Sequence, residues 1–226
     1  MTVKIERIGF APDYVDYVEA LELQQTTHEQ VATQHQQNTI LLLEHQAVIT
    51  AGKRTEDHEY PADDSTPVVK IDRGGKLTWH GPGQLVGYPI VKLPEPLDVV
   101  RYVRICEEII INVLADFGIK GERIEGRSGV WVVGHDGEQD RKIAAIGIRV
   151  AKNTTMHGFS INCNNDLSQF APFIPCGITD AGVTSLSEQL GRNINPIDIV
   201  ERLEQELFKY ADQLGAQFEP QQAPKN

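Results

Sequence analysis

The feature that most restricts the fold is a close succession of apolar runs. Residues 130–133, 142–151 and 159–163 follow one another with only short polar stretches between them, among them Gly134-His135-Asp136-Gly137. Such runs read as consecutive strands with hairpin connections. Upstream, Val3, Ile5, Ile8 and Phe10 form a strand-like start, and residues 39–44, 67–71 and 85–93 supply three further strand candidates. A polar, exposed loop is expected over 54–65.

Helical patterns interrupt these runs at three places. Pro12-Asp13 opens a stretch reaching about Gln36, with Tyr14, Val18, Leu21 and Val31 as its apolar positions. Asp98 is a good N-cap for a second helix, whose stripe of Val99, Val103, Cys106, Ile110, Val113, Leu114 and Phe117 stops at Gly118. Asn195-Pro196 begins a third as N-cap and N1, and its stripe of Val200, Leu203, Leu207 and Leu214 ends at Gly215. Strand clusters with a few long helices, rather than strict alternation, predict an α/β chain of the α+β kind, a mixed or antiparallel sheet flanked by helices. A single domain is expected over residues 1–218, with 219–226 a frayed tail.

At 226 residues the chain can bury about 70% of its unfolded surface, enough for a real core. A net charge of −11 argues against general binding to nucleic acid or to an anionic membrane, since both require a basic face. No run approaches the roughly 20 apolar residues of a membrane helix, and Glu6, Asp13, Asp16, Glu19 and Glu22 stand where a signal peptide would be apolar, so a soluble cytoplasmic protein is expected. The three cysteines form no CxxC and no metal-ligand spacing is present, so neither metal nor cofactor is expected.

The most unusual local chemistry is Arg73-Gly74-Gly75-Lys76-Leu77-Thr78-Trp79-His80-Gly81-Pro82-Gly83-Gln84. It lacks the GxxxxGK[ST] of a phosphate loop, and it runs into a strand rather than the helix that a dinucleotide-binding turn requires. Its glycines let backbone approach a ligand closely, with Trp79 and His80 as a wall; the competing reading is a hairpin corner that needs positive φ. Taken alone, His45, His80 and His157 read as structural histidines, and His28 and His35 as solvated ones.

Among the thiols, Cys106 lies on a helix stripe and Cys163 ends a strand among polar residues. Cys176, in Ile174-Pro175-Cys176-Gly177-Ile178, lies outside any periodic stripe and is the best candidate nucleophile. A free thiol is only a few per cent thiolate at neutral pH, so a partner is needed. Lys142, which opens the apolar run Ile143-Ala144-Ala145-Ile146, is the candidate, against the plainer reading of a strand-end lysine in solvent.

Taken together, several of these segments resemble the lipoate biosynthesis octanoyltransferases, or lipoyl(octanoyl) transferases. They are Glu44-His45 with Thr50 and Gly52, Arg73-Gly74-Gly75 through Tyr88-Pro89, Gly129-Val130-Trp131, Lys142 through Gly147, and His157-Gly158 through Pro175-Cys176-Gly177-Ile178. Gln46-Ala47 and Trp79 depart from the usual pattern. The resemblance implies the lipoate and biotin protein ligase fold. It also implies transfer of an octanoyl group from octanoyl-acyl carrier protein to a lysine of the lipoyl domains of 2-oxoacid dehydrogenases or the glycine cleavage H protein. Cys176 would hold the acyl thioester and Lys142 would tune it. Substrate would bind along Arg73, Gly74, Gly75, Lys76, Leu77, Thr78, Trp79 and His80, along Ala145, Ile146 and Gly147, and along Gly158, Phe159 and Ser160. The alternatives are an ATP-dependent lipoate protein ligase, an amidotransferase acting between protein lysines, and a non-catalytic module that binds acyl carrier protein. Because the implied partners are acidic, a basic rim is expected from Lys53, Arg54, Arg73, Lys76, Arg123, Arg127, Arg141, Lys142 and Arg149.

Overall fold

The computed structural model describes residues 3–61, 65–171 and 181–216. Cys176 and the expected tail over 219–226 lie outside the described residues.

The chain runs β1 (Val3–Gly9), α1 (Tyr17–Ala32), β2 (Asn38–Leu43), β3 (Val48–Ala51), β4 (Val68–Lys70), β5 (Leu77–His80), β6 (Gln84–Ile90), α2 (Val99–Asp116), β7 (Glu122–Ile124), β8 (Arg127–Val132), β9 (Arg141–Ala151), β10 (Thr154–Asn162), β11 (Gly182–Val183), α3 (Leu186–Leu190), α4 (Pro196–Lys209) and α5 (Ala211–Leu214). The main sheet has the order β1-β2-β6-β10-β9-β8-β7, with β11 added against β9. The β1–β2 and β9–β11 pairs are parallel and the rest antiparallel, so the sheet is mixed. A small second sheet has the order β4-β3-β5.

Strand β2 shows why its sequence is apolar without a break. Ile40 and Leu42 face a core shared with α2 and α4, whereas Leu41 and Leu43 face a second cluster beneath α1, so both faces are covered. Helix α2 is capped by Asp98, whose carboxylate accepts the Arg101 N–H at 2.8 Å, and Gly118 follows its end at φ +79°. Its inner stripe of Ile109, Ile110, Val113 and Leu114 meets Val200, Leu203 and Leu207 of α4 against the sheet. The small sheet packs on the opposite side with α1, and this arrangement leaves a hollow over β9 and β10. Among the described residues no helix is long and apolar enough to cross a membrane.

Helix α1 differs from the sequence expectation. It starts at Tyr17, not Pro12, because Asp16 caps it by accepting the N–H groups of Val18 and Glu19 at 2.7 and 3.2 Å. Its buried face is Tyr17, Ala20, Gln24, Thr27, His28 and Val31, while Val18 is 50% exposed. Polar side chains occupy that face because the sheet offers them partners. Gln24 Oε1 accepts the His157 N–H at 3.0 Å, and His28 Nε2 donates to the carbonyls of Ala151 and Thr154 at 3.1 and 3.2 Å. His28 is therefore buried, not solvated; His35 is exposed. Strands β3 and β5 were not anticipated, and β10 begins at Thr154, earlier than the sequence pattern predicts.

Candidate active site

Between the main sheet and the small one lies a cavity of about 270 Å³. Arg73 builds its roof. The guanidinium is buried and donates to Thr50 O at 3.0 Å, Thr50 Oγ1 at 2.9 Å and Gly74 O at 2.9 Å, which ties the glycine-rich loop to β3. Its aliphatic stem crosses Gly147, where an added Cβ would stand 3.0 Å from Arg73 Cδ. Glycine is needed there because the loop comes so close to β9.

Strand β5 pleats, and this splits the segment predicted to bind substrate. Thr78 and His80 line the cavity with Arg73, Gly74, Gly75 and Lys76. Leu77 and Trp79 do not, because the alternation of a strand turns them into a separate cluster with Ile49, Ala51 and Phe170. The Trp79 ring meets Phe170 edge-on at 5.8 Å, so it backs the site rather than narrowing it. Of the other predicted positions, Ala145, Ile146, Gly147, Gly158, Phe159 and Ser160 all border the cavity.

Two hydrogen-bond chains fix the inner wall. Asn162 Nδ2 donates to Thr184 O, Gln84 Nε2 to Asn162 Oδ1, and His80 Nδ1 to Gln84 Oε1, at 2.9, 2.9 and 2.7 Å. Because the chain ends on a carbonyl, each donor is determined, and His80 keeps its lone pair on Nε2. Similarly, His45 Nδ1 donates to Val15 O at 3.0 Å and its Nε2 accepts the Tyr88 hydroxyl at 2.7 Å. Burial pushes His80 down to about 3 and His45 to about 4, so both are neutral at physiological pH. His157, in left-handed backbone at φ +58°, donates from Nε2 to Asp72 at 3.0 Å. It too is pulled below the ordinary imidazole range by burial, and the Asp72 carboxylate opposes that pull.

Lys142 stands at the other side of the cavity. It is 8% exposed, a buried lysine rather than a strand-end one in solvent. Its Nζ sits 4.6 Å from the centroid of the Trp131 ring, its cross-strand partner. The space for it comes from Gly129, at φ +108°, where a Cβ would run into Ala144 O and stand 3.5 Å from Lys142 Cε. Glu107 of α2 holds this irregular stretch of β8. Its buried carboxylate accepts the Gly129 N–H at 3.1 Å together with Arg104 and Arg123 at 2.7 and 3.0 Å. On the far edge Lys142 pairs with Val183, and Thr184 N–H donates to Lys142 O at 3.0 Å.

Burial raises both described thiols, Cys106 to about 12 and Cys163 well above its ordinary value, and neither borders the cavity. Cys106 faces the core as its stripe requires, and Cys163 is equally buried despite its polar neighbours in sequence. Among the described residues no group of three or more His, Cys, Asp or Glu could hold a metal ion.

The expected basic rim is only partly assembled. Arg54, Arg73, Lys76, Arg127 and Lys142 border the cavity. Arg123 is instead engaged by Glu107 and Glu108, Arg141 lies 3.8 Å from Glu188, and Arg149 pairs with Asp72 at 2.8 Å. Sequence reasoning did not anticipate Tyr17, Gly126 or Ser128 as lining residues. Tyr17 escapes the apolar pattern, which puts the helix start at Pro12; Asp16 as N-cap is the signal that would place it.

Solved structures share this architecture at low sequence identity. Lipoate-protein ligase A, solved bound with ATP, matches with a TM-score of 0.70 at 11% identity, covering 100% of this chain and 90% of that one. The bipartite lipoate protein ligase of Thermoplasma acidophilum matches at 0.69 and 12%, covering 94% and 84%. The fold is thus that of the lipoate protein ligases. Sequence comparison is more specific. The octanoyltransferase of Arthrobacter sp. (strain FB24) is 54% identical over 214 residues, 95% of this chain and 96% of that protein. That of Thermobifida fusca is 57% identical over 203 residues, 88% and 85%. The profile of the lipoyl protein ligase A/B catalytic domain covers residues 16–208. The chain belongs to that family, in its octanoyltransferase branch.

Proposed function

We propose that this chain moves an octanoyl group from the thioester of acyl carrier protein to a lysine of a lipoyl domain, by way of a thioester on Cys176. The acceptors on this reading are the lipoyl domains of 2-oxoacid dehydrogenases and the H protein of glycine cleavage. The observation that carries the reading is Lys142. It is a buried amine bordering the cavity, and among the described residues its Nζ has no carboxylate or carbonyl partner, only the Trp131 ring. The backbone pairing of Lys142 with Val183 supports Cys176 as its counterpart, since the chain runs only seven residues from one to the other.

The chemistry follows in two balanced steps. Lys142 takes the Cys176 proton, and the thiolate attacks the donor carbonyl. The carrier thiolate departs and recovers that proton, which leaves Lys142 neutral. The acceptor amine then attacks the enzyme thioester, its surplus proton passes to Lys142, and the Cys176 thiolate leaves and is reprotonated. One thioester is exchanged for another before the amide forms, so no ATP is consumed. Burying the alkyl chain contributes about 0.8 kcal/mol per methylene, on the order of 5 kcal/mol for an octanoyl group.

The test is intact-protein mass after mixing with octanoyl-acyl carrier protein in the absence of ATP. A hydroxylamine-labile octanoyl adduct is expected on the wild type, none on Cys176→Ala, and slower formation on Lys142→Arg. Labelling that requires free octanoate and ATP would replace this reading with that of a ligase.

A further inference from the structure

We propose that Trp131 is a positioning residue for Lys142: its indole face, aimed by a bulge in β9, holds the Lys142 ammonium where a carboxylate would be the ordinary partner. This rests on the transfer reading, in which Lys142 takes the Cys176 proton.

Register supplies the first observation. Val130 pairs with Ala144, but Trp131 pairs with Lys142 and Val132 with Arg141, so β9 carries one extra residue at Ile143. In an unbroken ladder Trp131 would face Ile143, and Lys142 would face Val132. The bulge therefore sets indole and amine side by side, with Nζ 4.6 Å from the ring centroid.

The surroundings of the ring supply the second. Trp131 is only 1% exposed, yet among the described residues it belongs to none of the apolar clusters, whereas Val130, Ile143 and Ala144 belong to the one shared with α2 and α4. Its ring meets cations instead. Besides Lys142 Nζ, the Arg127 guanidinium carbon lies 5.7 Å from its centroid. The indole N–H is buried with no hydrogen-bond partner among the described residues. A phenylalanine would fill an apolar site without that cost, so the indole is explained by what it adds, a broader and more strongly attracting π face.

The kind of hold matters to the chemistry. A carboxylate beside the amine would favour the ammonium strongly enough to keep the proton there. A ring face favours it by a factor of only about two to thirty and offers no atom that takes the proton. Lys142 can then take the proton from Cys176 Sγ and give it up to the departing carrier thiolate, as the first step of transfer requires.

In the test, Trp131 alone is replaced by mono-, di- and trifluorotryptophan, which weaken the π face stepwise at nearly constant shape. The first readout is trace labelling of Lys142 by acetic anhydride in the Cys176→Ala protein, followed by peptide mass against the other lysines. Labelling reports the neutral amine and should rise stepwise, by about ten-fold over the series. The second is the rate of adduct formation from octanoyl-acyl carrier protein with Cys176 in place, which should fall stepwise by about ten-fold. Equal labelling across the series overturns the proposal whatever the rates do. A rate that ignores the series while labelling rises also overturns it, since the ring then serves the amine but not the reaction, and the transfer reading stands. Rising labelling with no adduct on any of these proteins sinks the transfer reading and keeps the hold of Trp131 on Lys142.

Discussion

His45, His80 and His157 all lie below the ordinary imidazole range because they are buried, His45 at about 4 and His80 at about 3. In the unfolded chain each binds a proton near 6.5. Between those values the unfolded state carries more protons than the folded one, so stability rises with pH through this window and is lost as pH falls from about 6.5. Each unit of difference is worth about 1.4 kcal/mol, so His45 alone should cost on the order of 3 kcal/mol by pH 4. The opposite limb comes from acids. Burial raises Cys106 to about 12 and also raises Cys163, Tyr88 and Tyr102. Unfolded cysteines lose their protons near 9 while the folded ones do not, so stability falls again above about pH 9. Urea unfolding at pH 5, 7.5 and 10 should give its highest midpoint at 7.5. Equal midpoints at 5 and 7.5 would contradict the neutral, buried histidines.

At the scale of elements, the helices that announced themselves did so through their ends. Asp98 and Gly118 delimit α2 within a residue or two. Asn195-Pro196 begins α4, which stops at Lys209 and gives way to the short α5 rather than running on to Gly215. Cys106, Ile110, Val113 and Leu114 of the first expected stripe and Val200, Leu203 and Leu207 of the second are buried. Helix α1 hid its inner face because three of its buried positions are polar letters: Gln24 and His28 bond backbone groups far away in sequence, and Thr27 is buried between them. In β5 the glycine-rich surroundings obscured the period of two that sends Leu77 and Trp79 away from Thr78 and His80. Burial of Lys142 was not legible either, since it depends on a neighbouring strand giving way at Gly129. That dependence is testable. Gly129→Ala sets a Cβ against Ala144 O at a strained φ and should destabilise the protein by about 2 kcal/mol or more, with adduct formation slowed more than the loss of folded protein explains. Glu107→Ala leaves the buried Gly129 amide without its acceptor and takes a carboxylate from Arg104 and Arg123, the latter keeping Glu108, and should cost on the order of 2 kcal/mol in urea unfolding.

For the whole molecule, charge is the quantity that the sequence and the cavity report differently. The chain carries −11, yet Arg54, Lys76 and Arg127 stand at the cavity and Lys53 is exposed beside Arg54. Part of this positive charge is already answered, Lys76 by Glu59, so the field at the mouth is smaller than a count of cations suggests. On the proposed reading two acidic proteins must approach that mouth in turn, and an acidic body would repel them everywhere else. Such a local reversal acts on encounter more than on chemistry, and it weakens as the Debye length falls from about 30 Å at 0.01 M to about 8 Å at 0.15 M salt. Lys53→Glu should therefore lower kcat/KM for octanoyl-acyl carrier protein about three- to ten-fold at low ionic strength, with the deficit closing as salt is added. With a neutral small octanoyl thioester as donor the same variant should match the wild type at every salt concentration, because no charged surface is docked. A deficit of equal size with the small donor would move Lys53 from docking into the architecture of the glycine-rich loop, where its backbone N–H already donates to Arg73 O.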